Sequence, residues 1–410
     1  MTPPSDTSPR AAHVIQSQAT VRQRPDTARA WAGLAQAWIQ LSRDSEDPSL
    51  YSQASDAIDQ GLQVAHDDEI LLQMRGQILS QEHRFRELRE LAQGLVNRNP
   101  HDHLHWGLLG DAALELGDYE TARDAYQHMV DLRPDLAAYS RAGWMQWLDG
   151  DVTNAERTLQ LAVDAIDPHD TPTAAWTHVQ LGIFYRNTGR YDDDLHECEI
   201  ALHYHPHDSP ALLEKGRVLL ARGDTAGAVT ALADANAHNP STIIAWAYGQ
   251  ALELAGRTSD ADERYAYVER VGARSDPRTL AFYLATRGRA PDVALETARQ
   301  EFDARPDVLS ADVLAWAQYR AHHLDDAQAS ITQALRLGTH DPMFHYHAGM
   351  IALARGDTTH ASELLGAALH ESPLFDAVAA RDARQALASI SSAAPGGVAL
   401  PPVRDAAQRP

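Results

Sequence analysis

The sequence predicts an all-α solenoid of about ten stacked helix pairs, and three regularities carry that reading. Within residues 103–136, apolar residues recur at i, i+3, i+4 and i+7 on either side of Gly117, giving two helices with one buried stripe each and a glycine turn between them. A small residue then marks the same point of every unit, at Gly76, Gly110, Gly143, Gly182, Gly216, Gly249, Ala281, Ala315 and Gly349, in steps of 34, 33, 39, 34, 33, 32, 34 and 34 residues. The second helices share an alanine, at Ala122, Ala155, Ala228, Ala261, Ala294, Ala327 and Ala361. Prolines close the units at Pro100, Pro134, Pro206, Pro240, Pro306 and Pro373. A period of this length means that each unit buries its apolar face only against its neighbours.

In chain order, residues 1–10 carry three prolines among Ser, Thr and Asp, too little apolar surface to order, and read as a disordered tail. A leading helix is expected in segment 11–27, from Ala11 to Arg24 and ending at Pro25. Units 1–4 occupy 28–174, the first stretched by a long connection from Leu41 to Pro48. Units 5–10 occupy 175–373. Between the two blocks stands Asp167–Pro172, DPHDTP, whose two prolines are expected to interrupt helix and to loosen the join as a hinge. Residues 374–390 read as a capping helix, and 391–410, rich in Ala, Pro and Gly, as a second disordered tail.

The punctuation of residues 103–136 is Trp106, Leu109 and Gly110, then Gly117, Ala122, Tyr126 and Pro134. It resembles the tetratricopeptide repeat in every slot except Ala113, where the repeat has Tyr. Residues 115–145 (ELGDYETARDAYQHMVDLRPDLAAYSRAGWM) and 311–357, from ADVLAWAQYR to MIALARGD, are further similar to the middle and end of a group of long bacterial tetratricopeptide proteins that brings no known reaction with it.

The resemblance implies a right-handed superhelix with the first helices lining a concave groove. Positions 4, 7, 8 and 11 of those helices would pack the core, and positions 2, 5, 9, 12 and 13 would face the groove. Carried onto this chain, the groove set begins with Asp111 and Glu115, then Trp144 and Trp147, then Trp176, Arg186 and Asn187. It continues with Arg217, with Trp246 and Gln250, with Trp316, Tyr319 and Arg320, and with Tyr346. Exposed aromatics and arginines are what peptide anchors use. Against that reading stands a tight superhelix in which they pack on one another. Trp31, Trp38 and Trp106 fall at core positions. The lysine, asparagine and arginine clamp by which some family members hold chaperone tails has no counterpart, since Lys215 is the only lysine.

Composition narrows the partner. A net charge of -22 argues against a nucleic-acid backbone or an anionic membrane as partner. No run of about 18 apolar residues spans a membrane, and no signal sequence is visible at the start, so a soluble, cytoplasmic protein is expected. The single Cys198 cannot form an internal disulfide and reads as a small packing residue.

Catalytic motifs are absent: no phosphate loop, no G-x-S-x-G elbow, no H-E-x-x-H, and no stretch left for a catalytic domain. Arg222-Gly223-Asp224 and Arg355-Gly356-Asp357 are ordinary repeat turns. The 21 histidines include two alternating runs, His101/His103/His105 and His203/His205/His207, of a kind that can hold metal. Both fall at joints between repeats and read as variable, exposed turn residues, three repeats and so about 30 Å apart. His83 and His322 stand where other units place the turn glycine, a slot that histidine tolerates. Neither a cofactor nor a metal is called for. The expected function is a non-enzymatic scaffold binding a peptide or protein segment in its groove. The alternative is a small-ligand or metal-sensing solenoid whose curvature changes on binding.

Overall fold

The computed structural model describes residue 4 and residues 8–393. Helix α1 (Pro9–Gln23) leads, and ten antiparallel pairs follow. The first five are α2 (Ala28–Ser45) with α3 (Tyr51–Val64), α4 (Glu69–Gln81) with α5 (Phe85–Arg98), α6 (His103–Glu115) with α7 (Tyr119–Leu132), α8 (Leu136–Leu148) with α9 (Val152–Asp164), and α10 (Thr171–Asn187) with α11 (Tyr191–Tyr204). Next come α12 (Ser209–Ala221) with α13 (Thr225–His238), α14 (Thr242–Leu254) with α15 (Thr258–Ser275), and α16 (Pro277–Arg287) with α17 (Pro291–Ala304). The last pairs are α18 (Val308–Arg320) with α19 (Leu324–Ala334) and α20 (Pro342–Ala354) with α21 (Thr358–Glu371), and α22 (Ala379–Ala393) lies on the end. Among the described residues there is no strand.

Each pair closes because small residues let two helices touch. A Cβ placed on Gly110 would overlap the Tyr126 ring, and one on Gly249 the Tyr265 ring, while Ala122, Ala228 and Ala361 are fully buried opposite. Much of the acidity serves as helix caps. Eleven helices begin with an aspartate whose carboxylate accepts a backbone N–H of the first turn, each worth about 0.5–2 kcal/mol. The turn positions of His83 and His322 are left-handed, with φ of 56° and 63°.

Several sequence expectations need correction. Pro9 and Arg10 already belong to α1, capped by the Ser8 hydroxyl, so helix starts inside the stretch read as tail. The rest of residues 1–7, Pro4 aside, lies outside the described residues, as does the expected tail beyond 393. The final helix begins at Ala379, five residues late, because Asp376 accepts the N–H groups of Val378 and Ala379 and sets the start there. The insertion Asp167–Pro172 divides: Asp167–Asp170, with Pro168, lie in the non-helical connection between α9 and α10, whereas Thr171 and Pro172 are already helix. It gives α10 an extra turn, 17 residues against 13 in α8 and α12, and Pro172 sits in the first turn where its missing N–H costs nothing.

The coils of the solenoid touch. The turn inside repeat 3, at Gly117, packs on the joint after repeat 8; that of repeat 4, at Gly150, on the joint after repeat 9; and that of repeat 5, at Gly189, on the joint after repeat 10. Hydrogen bonds hold this seam. Val308 N–H donates to Tyr119 Oη at 2.8 Å, the Thr339 hydroxyl to the Leu148 carbonyl at 2.5 Å, and Leu374 N–H to Tyr191 Oη at 2.6 Å. Apolar packing crosses it too: Tyr119, Trp147 and Leu148 share one buried cluster with Val308, Ile331 and Phe344.

Candidate functional site

That packing decides where the expected groove residues lie. Trp147, Trp316 and Tyr346 are buried at 1, 3 and 5% exposure, and Asn187 is buried as well, so their expected presentation to a ligand is corrected. Trp316 stacks on His347 with centroids 4.2 Å apart and rests against Tyr319 and Tyr346. The physical reason is that first helices of successive repeats, and of successive coils, approach closely enough to use these rings as core. Trp144 is half-buried on Trp147, Trp246 is half-buried edge-on to Phe282, and Gln250 is half-buried. Only Trp176, 43% exposed, and Arg320 at the rim remain open.

The charged members are paired within the solenoid. Arg141 holds Asp111 through two bonds of 2.8 Å, and Tyr126 Oη donates to the same carboxylate. Arg186 bonds Glu214, which also faces Arg217 at 3.6 Å. Glu214 is buried, and beside it burial and the Glu214 charge push the Asp194 carboxyl up to about 8. Cys198 is buried against Asp194 at 3.4 Å, and burial raises its thiol. The predicted residues thus form several separate groups rather than one site.

The seam opens toward the first repeats. Where repeats 1 and 2 should meet the joints after repeats 6 and 7, the coils stand apart and leave a cleft of about 950 Å³. One wall is Ser45–Pro48 and His83, from the turns of repeats 1 and 2. The other is His238–Thr242 and Ser275–Thr279, from the joints, with Tyr267 and Arg305 completing the lining. This volume is at the top of the ~300–1,000 Å³ range of ligand pockets.

A knot of charge closes one end of the cleft. Arg278 lies 3.6 Å from Glu115 and from Asp307, and 3.8 Å from Glu301; Arg305 bonds Glu301 and stands 3.6 Å from Glu115. Two guanidiniums thus face three carboxylates. Burial, and then the Asp307 charge, push the Glu115 carboxyl up to about 7 against the pull of both arginines, and its Oε2 has no hydrogen-bond partner. Burial, and then the charge of Arg305, hold His83 below the usual imidazole range. Of the expected groove residues only Glu115 reaches this site.

The histidine runs also behave differently from expectation. His103 and His105 are buried rather than exposed, His103 against Asp135 at 3.2 Å. His205 and His207 each sit in a group of three possible donors, with Glu46 and Asp208 and with Asp234 and His238 respectively. Arg278, Arg305 and Glu46 escaped sequence reading because they occupy joints and turns, where the repeat pattern specifies only proline and glycine. The one visible signal was the lengthened connection Leu41–Pro48.

Comparison with known proteins places this geometry. The tetratricopeptide repeat family model matches residues 74–137, 108–171, 180–240, 213–270 and 313–374, more than half of the chain. No curated protein sequence matches. Among solved structures, the human IFIT1 dimer with PPP-AAAA is similar over 87% of this chain and 86% of its own, at 12% identity and a TM-score of 0.51. The human IFIT1 dimer with m7Gppp-AAAA covers 88 and 84% at 12% identity and 0.50. The Cut9–Hcn1 hetero-tetramer of the APC/C covers 92 and 81% at 16% identity and 0.44. At this identity the likeness to IFIT1 is one of fold, and the family match, over more than half of the chain, leads to a single conclusion. The chain belongs to the tetratricopeptide repeat family.

Proposed function

We propose that this protein is a non-enzymatic interaction scaffold that takes a peptide or protein segment into the cleft between its coils. The cleft itself is the observation that carries the reading: the seam is filled by core packing at repeats 3–5 and opens at repeats 1 and 2, onto hydroxyls, Tyr267, two histidines and the Arg278–Arg305 knot. A lining of both charges with many hydrogen-bonding groups suits a peptide backbone and mixed side chains. Supporting a protein partner further, repeats of this family commonly mediate protein–protein interaction. No helix among the described residues is long and apolar enough to cross a membrane, in keeping with a cytoplasmic role.

IFIT1, similar in fold, was solved with PPP-AAAA, which makes an oligonucleotide the natural contrast. Here both arginines are committed to carboxylates, three against two, and the chain carries -22, so a polyphosphate is disfavoured. The test is selection of peptides from a random library on the intact protein, then titration against His83→Gly/His238→Ala, a double change that empties cleft walls without straining the left-handed turn. Peptides that bind and lose at least about tenfold, roughly 1.4 kcal/mol, in the variant support the reading. Peptides unaffected by the change, or tight binding of a 5′-triphosphate oligonucleotide instead, overturn it.

A further inference from the structure

Glu46 ends α2 in a left-handed conformation, φ 51°, a state unfavourable for a non-glycine residue. The turn carries its carboxylate to the joint before α12, 163 residues further along the chain, where Oε1 accepts Ser209 N–H at 2.9 Å. Its Oε2 is buried and has no hydrogen-bond partner, so its desolvation is not recovered within the chain. Facing it, His205 Nδ1 lies 3.2 Å from Asp208 Oδ2 and 4.0 Å from Glu46 Oε1. Asp208 is itself fixed, because Oδ1 caps α12 at Ala211 N–H and leaves Oδ2 to point at the histidine.

We propose that Glu46, His205 and Asp208 bind one divalent transition-metal ion, in the class of Mn²⁺ to Zn²⁺, which staples repeat 1 to repeat 6 across the seam. One donor atom from each residue lies within 4.8 Å of the others. Ligands held about 2.0–2.2 Å from a shared ion stand roughly 3–4 Å apart, close to the 3.2 and 4.0 Å separations found here. An imidazole nitrogen beside two carboxylates favours transition ions over Mg²⁺ and Ca²⁺, which take oxygen. The Glu46 carboxylate is held for this by Ser209 N–H on Oε1, the atom that faces His205, and its other oxygen is left without a hydrogen-bond partner. Glu46 also lines the cleft, which gives an ion a route in and leaves room for water in the remaining positions.

The nearby group of His207, Asp234 and His238 is the poorer candidate. Its two rings lie stacked, 4.4 Å apart at 15°, so they do not converge on a common ion from separate directions, and His238 Nδ1 also faces the Asp234 carbonyl at 3.0 Å. The proposal is independent of what the cleft binds.

The test is calorimetric titration of the metal-stripped full-length protein with ZnCl₂ and with MnCl₂. Expected is uptake of one ion per chain, weakened on the order of 10- to 100-fold or more in Glu46→Gln and in His205→Ala, and unchanged in His207→Ala. No saturable uptake, uptake indifferent to Glu46→Gln and His205→Ala, or uptake lost in His207→Ala each overturns it. Should Glu46→Gln fail to fold by circular dichroism, X-ray absorption on the zinc-loaded wild type decides. One imidazole among oxygen ligands supports the site, and two or more imidazoles overturn it.

Discussion

Replacing Gly117 by alanine and comparing it with the same change at Gly223 isolates the contact between coils. Both glycines turn a repeat at positive φ, 70° and 84°, so both variants carry the left-handed cost of a Cβ, roughly 1–2 kcal/mol. They differ in what the Cβ meets. At Gly223 nothing lies within 4 Å, whereas at Gly117 the methyl falls well inside 3.0 Å of the Pro306 carbonyl oxygen and 2.9 Å from Arg336 Nη2. A backbone carbonyl cannot rotate away, so the coils must part. Two seam bonds go with them, Arg336 to the Gly117 carbonyl at 3.1 Å and Val308 N–H to Tyr119 Oη at 2.8 Å. At about 0.5–1.5 kcal/mol each, Gly117→Ala should cost roughly 1–3 kcal/mol more than Gly223→Ala. Because a repeat array need not unfold in one step, the decisive assay is amide hydrogen exchange rather than a single melting temperature. The Val308 amide should exchange faster in Gly117→Ala and stay protected in Gly223→Ala. Equal losses in the two variants, or an unchanged Val308 amide, would refute the reasoning.

Other outcomes follow from the same packing. Tyr191→Phe removes the acceptor of Leu374 N–H and one of the two partners of the Ser372 hydroxyl, which keeps its bond to the Arg186 carbonyl, and should cost about 1–3 kcal/mol in denaturant titration, with faster exchange at Leu374. Trp147→Ala, at a site 1% exposed, should cost about 3–5 kcal/mol, and Trp176→Ala, at 43%, under about 1 kcal/mol; a small loss at Trp147 would contradict a filled interior. Glu115 supplies a pH test. Its folded carboxyl is raised from the ordinary 4.5 to about 7, so its contribution to stability is whole below pH 4.5 and is lost as pH rises through about 7. Glu115→Gln should flatten that decline in melts taken between pH 5 and 8, and an unchanged slope would assign it to another group.

Local rules made the repeats legible. Glycine and alanine spacing placed the helix pairs, and Gly117 or His83 announced their turns. Long-range closure was not legible, because the meeting of Tyr119 with Val308 depends on a small rotation per repeat accumulated over five units. In sequence Tyr119 is only the residue that opens a second helix. Trp316 and Tyr346 are buried by the neighbouring helices instead, against Thr286, Tyr319, His347 and Phe375, an approach that the position within the repeat does not reveal. The proline-rich insertion was legible in part: Pro168 does lie in the break between α9 and α10, but Pro172 falls in the first turn of α10, the one place where a helix accepts it. Around the cleft, only Glu115 of its closing knot is assigned to the groove by sequence, and His83 and Pro240 read there only as turn and closing residues, since charges at joints carry no periodic signal.

Whether the coils touch is tested most directly by crosslinking across the seam. Arg86 donates to the Asp303 carbonyl at 2.7 Å although 217 residues separate them, and both side chains are exposed. With Cys198→Ser removing the native thiol, cysteines at positions 86 and 303 should be joined within one molecule by a short bifunctional maleimide, in high yield and independently of protein concentration. A pair that reacts only between molecules, or not at all, would mean that the solenoid is open and that the cleft does not exist as described.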